Sequence, residues 1–403
     1  MNSKRGSSAV FLMVILAALI SITLSLIYGI REECVKSRTD GIMSLAGDSV
    51  MSEYNYHIQD EYGLFFLKGN DRQMEEKLME YVKYSINDMR AVKVESINVS
   101  GSRFSAANID LIKDQILEYM ELASAEGRSD VRRSDTEKER SDEISENRIL
   151  KHGPTAVSLP SAAIPDKSLT STAESAADNI KEIKNVFKKG TDTYMINQYI
   201  LKHFNNKNKT ISHQHFFRNE AEYILGGELS DGKNEKCVDM ALKAMRFPLN
   251  LAHIYSDPEK RAETFALAEV MTPGAAAPAT QAALAATWAY AESDNDVELL
   301  WQGYKVPVNK DKTIWAINLD NAVEGLTGGT IKPDANKGYD YNQYLQILLF
   351  FKDENVKISR ILDLIQINTR MIYDGDFLIN EHSVGITIEA EVNGTYYGYE
   401  KKY

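Results

Sequence analysis

At 403 residues, with 43% apolar and 26% charged side chains, the chain is long and mixed enough to build a sizeable core in one large or two modest folded regions. Its formal net charge of −12, without a basic stripe carrying interleaved aromatics, argues against nucleic acid as a partner. Cys34 and Cys237 are too few for a disulfide scaffold and lack the paired spacing of a zinc site. Two unpaired thiols are expected, a Cys34–Cys237 disulfide being the alternative if both lie outside the cell.

The run Ala9–Ile30 holds 22 residues without a charge, rich in Leu, Ile, Val and Met. At about 1.5 Å per residue, a helix of that length crosses the roughly 30 Å hydrocarbon core of a bilayer. A secretory apolar segment is shorter, about 7–15 residues, and ends in small side chains. This one ends in Leu26-Ile27-Tyr28-Gly29-Ile30, and Tyr28 suits a membrane interface. Lys4 and Arg5 precede the run, whereas Arg31, Glu32 and Glu33 follow it with acids in excess. The expected topology is therefore a cytoplasmic basic leader over residues 1–8, one transmembrane helix over 9–30 and the bulk of the chain outside the cell membrane. A long signal peptide is the alternative. Ala17, Ala18, Ser21 and Ser25 form a candidate helix-packing face, because small side chains let helices approach closely in lipid.

Val35, Ile42, Ala46, Val50, Tyr54 and Ile58 recur every three or four residues, which predicts an amphipathic extension over 31–60 with Gly29 as a candidate bend. Residues 61–123 read as a small membrane-proximal α/β unit. In it a helix opens at Asn70 or Asp71 and carries Met74, Leu78, Val82 and Ile86 on one face. A strand follows through Val92, Val94, Ile97 and Val99 with a bulge near Ser96, then a helix marked by Ile109, Ile112, Ile116 and Met120. Residues 124–173 lack aromatics and are crowded with charge, so a disordered linker is expected there.

Residues 174–403 read as an α+β extracellular domain. A helix is expected over 193–204, a strand over 221–225 ending at Gly226-Gly227, and helices near 232–255, 258–271, 278–304, 339–352 and 355–372. Asp257-Pro258-Glu259 reads as a helix cap and first turn. The chain closes in a hairpin, with Ile386, Ile388, Ala390 and Val392 alternating before the Asn393-Gly394 turn. Val270–Ala291 is a second uncharged stretch, but Pro273, Gly274, Pro278 and its many alanines point to a buried, close-packed helix entry, not a second span.

Chemistry is sparse. His213 and His215 stand without a Cys or carboxylate cluster at metal spacing, so a solvated loop and no metal are expected. No nucleophile elbow, zinc-protease, Walker or dinucleotide motif is present, so neither a cofactor nor catalysis is expected. Gly325–Gly329 and the Asp374/Asp376 pair both read as turns. Tyr396, Tyr397, Tyr399 and Tyr403 crowd the last strand, where an exposed hairpin face is expected and a binding surface is the alternative.

The phrases "KRGSSAVFLMVILAALISITLSLIY" and "DGIMSLAGDSVMSEYNYHIQDEYGLFFL" resemble the start of TadE/TadG-like minor pseudopilins of tight-adherence (Flp-type) pilus systems. "NEAEYILGG", "DPEKRAETFALAEVMTPG", "ATWAYAESDNDVELLWQGYKVPV" and "YNQYLQILLFFKDENVKISRILDLIQIN" resemble an uncharacterised domain of Gram-positive bacteria whose genes tend to accompany those of such pili. The resemblance supplies no catalytic residues. It implies a non-enzymatic, single-pass surface protein that meets membrane lipid and other pilus or pseudopilin subunits through its N-terminal helix, with Gly6 a candidate processing point. One departure is that the Ala-Val-Glu-Phe phrase of TadE-like helices reads Ala9-Val10-Phe11 here, without the Glu. A membrane-anchored binding or sensory ectodomain unrelated to filaments is the alternative, and a hydrolase with an unrecognised site a third reading. The fold class expected is α+β: a transmembrane helix running into a long amphipathic one, a mainly helical domain with short strands, and a C-terminal β-hairpin.

Overall fold

The computed structural model describes residues 3–86, 92–125, 158–179, 183–325 and 337–403, with the backbone alone at 3–9, 183 and 184. In chain order the main elements are α1 (Ser3–Met51), α2 (Tyr56–Tyr62), α3 (Asp71–Ile86), β1 (Val94–Ser100), α4 (Ile109–Ala125), α5 (Leu169–Asp178) and α6 (Asp192–His203). They continue with α7 (Glu220–Gly226), α8 (Asp231–Ser256), α9 (Pro258–Met271), α10 (Ala277–Trp301), α11 (Tyr341–Phe351), α12 (Glu354–Ile372), β2 (Gly385–Val392) and β3 (Thr395–Lys402). The class is α+β, mostly helical, with a C-terminal antiparallel hairpin.

The chain divides into two interleaved units. Unit 1 takes residues 1–55, 65–106 and 381–403; unit 2 takes 56–64 and 107–380. This replaces the expected separation of 61–123 from 174–403. The strand pattern around Val92–Val99 identified an element but not its partner, and the partner is β2, which arrives almost three hundred residues later.

In unit 1 the sheet runs β1-β2-β3, all antiparallel. Its apolar face takes Ile97 and Val99 from β1 and Ile386, Ile388, Ala390 and Val392 from β2. Onto it pack Ile42, Met43, Ala46, Val50 and Met51 of α1 and Met74, Leu78 and Val82 of α3. Gly47 permits the close approach, since a Cβ there would lie 3.1 Å from Ile388 Cδ1. The expected bulge is present as a register shift between Val94 and Ser96. The expected turn is present too, Asn393 and Gly394 both having positive φ.

The amphipathic helix stops at Met51 instead of reaching Asp60. Tyr54 forms an antiparallel bridge with Leu67, the Asn55 N–H donates to Phe66 O at 2.7 Å, and the Glu53 carboxylate is held by Lys77 and Tyr81. Those bonds need the chain to leave the helix by 53–55. No break occurs at Gly29, through which α1 runs uninterrupted. The C-terminal tyrosines are mostly staples to α1: Tyr399 Oη donates to Asp40 Oδ1 at 2.7 Å, and Tyr403 Oη donates to Met51 O. Lys401 Nζ adds Ser44 Oγ at 2.9 Å and Asp48 Oδ1 at 2.7 Å. Tyr396 is the one left exposed, at 78%.

Unit 2 is a helical body around α12, which is buried on nearly every side from Val356 to Thr369. The helices predicted near 258–271, 339–352 and 355–372 lie at Pro258–Met271, Tyr341–Phe351 and Glu354–Ile372. Asp257 caps the first of these by accepting from the Glu259 and Lys260 N–H groups. The expected strand at 221–225 is instead helix α7. Five apolar-rich residues are too few for periodicity to separate the two states, and Gly227, at φ 75°, supplies a left-handed helix stop.

Part of the expected 124–173 linker is folded. Residues 126–157 lie outside the described residues, but Ser161 N–H donates to Asp363 Oδ1 at 2.9 Å, and Asp166 bonds Lys352 and Arg360 at 2.6 and 2.7 Å. Buried charges on α12 and at the end of α11 thus recruit a segment with little apolar surface of its own. The uncharged stretch 270–291 is also not uniformly buried: Val270 and Met271 are exposed at the α9–α10 corner, while Leu284, Ala285, Trp288 and Ala289 fill the core. Both cysteines are free thiols.

Ile388 is fully buried between β-strand neighbours and α1. Ile388→Ala is expected to cost about 2–5 kcal/mol, read as a lower denaturation midpoint. Tyr396→Ser, on the exposed side of β3, should stay within about 0.5 kcal/mol of the parent.

Candidate functional site

The features that the fold sets apart are the free half of α1 and a set of buried polar clusters in unit 2. Among the described residues, α1 is the one helix long and apolar enough to cross a membrane, and none of its most apolar window is buried. Ala17, Ala18, Ser21 and Ser25 are all exposed on it. Thr23 satisfies its hydroxyl within the helix, donating to Leu19 O at 3.0 Å and Ile20 O at 2.9 Å. Glu33, Cys34 and Arg38 flank Ser25 and Gly29 along an open groove. The backbone at Lys4, Arg5 and Gly6 is helical; their side chains lie outside the described residues.

His215, expected in a solvated loop, is instead buried between two carboxylates. Its Nε2 lies 2.7 Å from Glu61 Oε1 and its Nδ1 2.7 Å from Glu220 Oε2. Both acceptors being carboxylates, the ring fits as an imidazolium donating on each side. Burial alone would lower its pKa, but Glu220 and Glu61 overcome that and push it up to about 9. Glu220 also accepts from the Asn205 N–H at 2.8 Å and from Asn368 Nδ2 at 2.7 Å. The same cluster holds the segment 56–64, for Tyr199 Oη donates to Tyr62 O at 2.7 Å and Asn368 Nδ2 donates to Tyr62 Oη at 3.1 Å.

Two residues along α7 from Glu220, Glu222 is wholly buried. It accepts from Tyr341 Oη at 2.6 Å and the Lys207 N–H at 3.0 Å. Burial pushes its carboxyl up to about 7, with Tyr341 and the Lys207 N–H opposing. A third cluster joins α8 and α10: Arg246 Nε donates to Asp296 Oδ2 at 2.9 Å, and Lys310 is paired with Asp296 and Glu292. The lysine is only 2% exposed and both acids are sealed, so the group is a buried, charge-balanced brace.

These groups are buried, and as placed they bond side chains and backbone of neighbouring elements. Among the described residues, no group of three or more His, Cys, Asp or Glu is arranged to hold a metal. Asp374 forms the expected turn, accepting from the Asp376 N–H at 3.0 Å. Of Gly325–Gly329, only Gly325 lies within the described residues. Sequence reasoning placed His215 in a solvated loop and missed Glu61, Glu220 and Glu222. The available signal was two acids at alternate positions inside the apolar run Ala221–Leu225 and its flank, which an ordinary solvated face does not carry.

Residues 131–394 match the model of DUF5702, a family of unknown function, and the chain belongs to that family. The match begins after α1 and β1 and ends in the C-terminal hairpin, so it covers most of unit 2 together with β2. No curated protein and no solved structure matches the chain.

For Glu222, a folded-state pKa of about 7 against 4.5 means that its stabilisation is complete below about pH 4.5 and is lost as pH rises through about 7. For His215, about 9 against 6.5 places the loss between about pH 6.5 and 9. Glu222→Gln should flatten the stability profile in the lower window only, as read by denaturant midpoints across pH. His215→Gln should flatten the upper window and cost about 3–5 kcal/mol, because it leaves two buried carboxylates facing a neutral side chain.

Proposed function

We propose that this chain is a non-enzymatic, single-pass membrane protein of the cell surface, a pseudopilin-like or accessory component of a tight-adherence pilus. The observation that carries the reading is the continuity of α1. One unbroken helix offers a bare apolar stem at residues 10–30 and then becomes core of unit 1 from Ile42 to Met51. A signal peptide is discarded, whereas a helix whose second half is structural is suited to retention. In lipid, a stem of this kind gains little from burial of apolar area against other helices, so close packing through Ala17, Ala18, Ser21 and Ser25 is the attraction available to it.

Lys4 and Arg5 ahead of the stem favour a cytoplasmic N-terminus, which leaves the bulk of the chain beyond Ile30 outside. The polar clusters of unit 2 fit a rigid body that partners dock on, since their groups are spent on internal bonds.

Cell fractionation with intact-mass analysis tests the anchor. The chain is expected in the membrane fraction, beginning at Met1 or just after Gly6; a secreted polypeptide beginning beyond Ile30 overturns the reading. Replacing Ala18, Ser21 and Ser25 together by Leu is expected to reduce recovery of pilus subunits with the membrane-extracted protein at least several-fold. Undiminished recovery, or none from the parent, favours the anchored ectodomain without a filament role.

A further inference from the structure

Lys357, in the first turns of α12, and Asn197, in the middle of α6, meet inside unit 2 with neither exposed at all. Lys357 Nζ donates to Asn197 Oδ1 at 3.0 Å and to Leu349 O at 3.0 Å. Among the described residues no carboxylate pairs with it, and on the other side of the amide Asn197 Nδ2 has no hydrogen-bond partner. Two acceptors match the two N–H bonds of a neutral amine, whose remaining tetrahedral position is a lone pair; an ammonium would leave its third N–H unmet. Burial lowers the Lys357 pKa to about 8, Glu354 and Asp353 opposing, so roughly a tenth of the amine is neutral one unit below that value. A desolvated amine is thereby held against a buried carboxamide whose nitrogen nothing restrains.

We propose that Lys357 and Asn197 condense into an intramolecular amide, cross-linking α12 to α6. The neutral Nζ adds to Asn197 Cγ, and the carbonyl electron pair moves onto Oδ1. One proton passes from Nζ to Nδ2 in the tetrahedral adduct. The Cγ–Nδ2 bond then breaks, Nδ2 departs as ammonia and the C=O bond re-forms. Nothing is oxidised or reduced and no cofactor is consumed. Fixed proximity lowers the barrier by making the addition intramolecular, and loss of ammonia carries it forward. The product also replaces a buried basic amine and an unbonded amide nitrogen by one neutral amide, removing two costly groups from the interior.

The test is mass spectrometry of the full-length, detergent-extracted protein held folded above about pH 8, where the amine is mostly neutral. The expected result is a branched proteolytic peptide joining the segments around residues 197 and 357, lighter than the sum of its two parts by one ammonia. The denatured chain is expected to migrate faster on a gel, because the link closes the loop from 197 to 357. Lys357→Arg and Asn197→Ala should each abolish the branched peptide. Recovery of both segments only as separate, unmodified peptides from the folded parent overturns the proposal, as does a branched peptide that persists in Asn197→Ala.

Discussion

Everything in unit 1 depends on the contact between the second half of α1 and a sheet that the chain can complete only with its last residues. The helix brings Ile42, Met43, Ala46 and Val50; β2 answers with Ile386, Ile388 and Ala390. Each partner alone is unfinished. A three-stranded sheet needs a covered face to be stable, and a helix with one apolar stripe needs a surface to bury it. The side chains of β3 then tie the two together through Asp40, Ser44, Asp48 and the Met51 carbonyl. Among the described residues, the most apolar window in the first half of α1 has no such cover.

Unit 2 solves a different problem. Its central helix is buried all round yet carries Lys357, Arg360, Asp363, Gln366 and Asn368, so its polar groups must be satisfied from neighbouring elements. Arg360 reaches the Ile224 and Leu225 carbonyls as well as Asp166; Asp363 accepts from Tyr223 and Ser161; Asn368 donates to Glu220 and Tyr62. Such groups are directional where apolar packing is not, and each one fixes a particular segment against α12. This explains how short pieces, α7 and the stretches 56–64 and 158–168, acquire defined places with little hydrophobic surface. It also makes a substitution at Arg360 or Asn368 more disruptive than its area suggests, because several segments lose their reference at once.

What the sequence disclosed was local. The apolar stem, the cap at Asp257, the bulge by Ser96 and the Asn393-Gly394 turn each depend on residues within a few positions of one another, and each lies where its pattern indicates. Partners were not legible, since alternation at Val94–Val99 reports a buried face and not which strand lies alongside. Nor does His215 disclose its role: the two carboxylates around it come from positions 61 and 220, and only folding gathers them. The end of α1 was misplaced for the same reason, because the bonds that stop it, to Phe66, Lys77 and Tyr81, outweigh a favourable helical pattern that continues to Ile58.

The order in which the strands join carries a consequence for biogenesis. The central strand of the sheet is made nearly last, so the second half of α1 is synthesised long before the sheet it packs against is complete. Until then Ile42, Met43 and Val50 have α3 to pack against but not β2, and a chain that stops before Gly385 never supplies the strand that completes their burial.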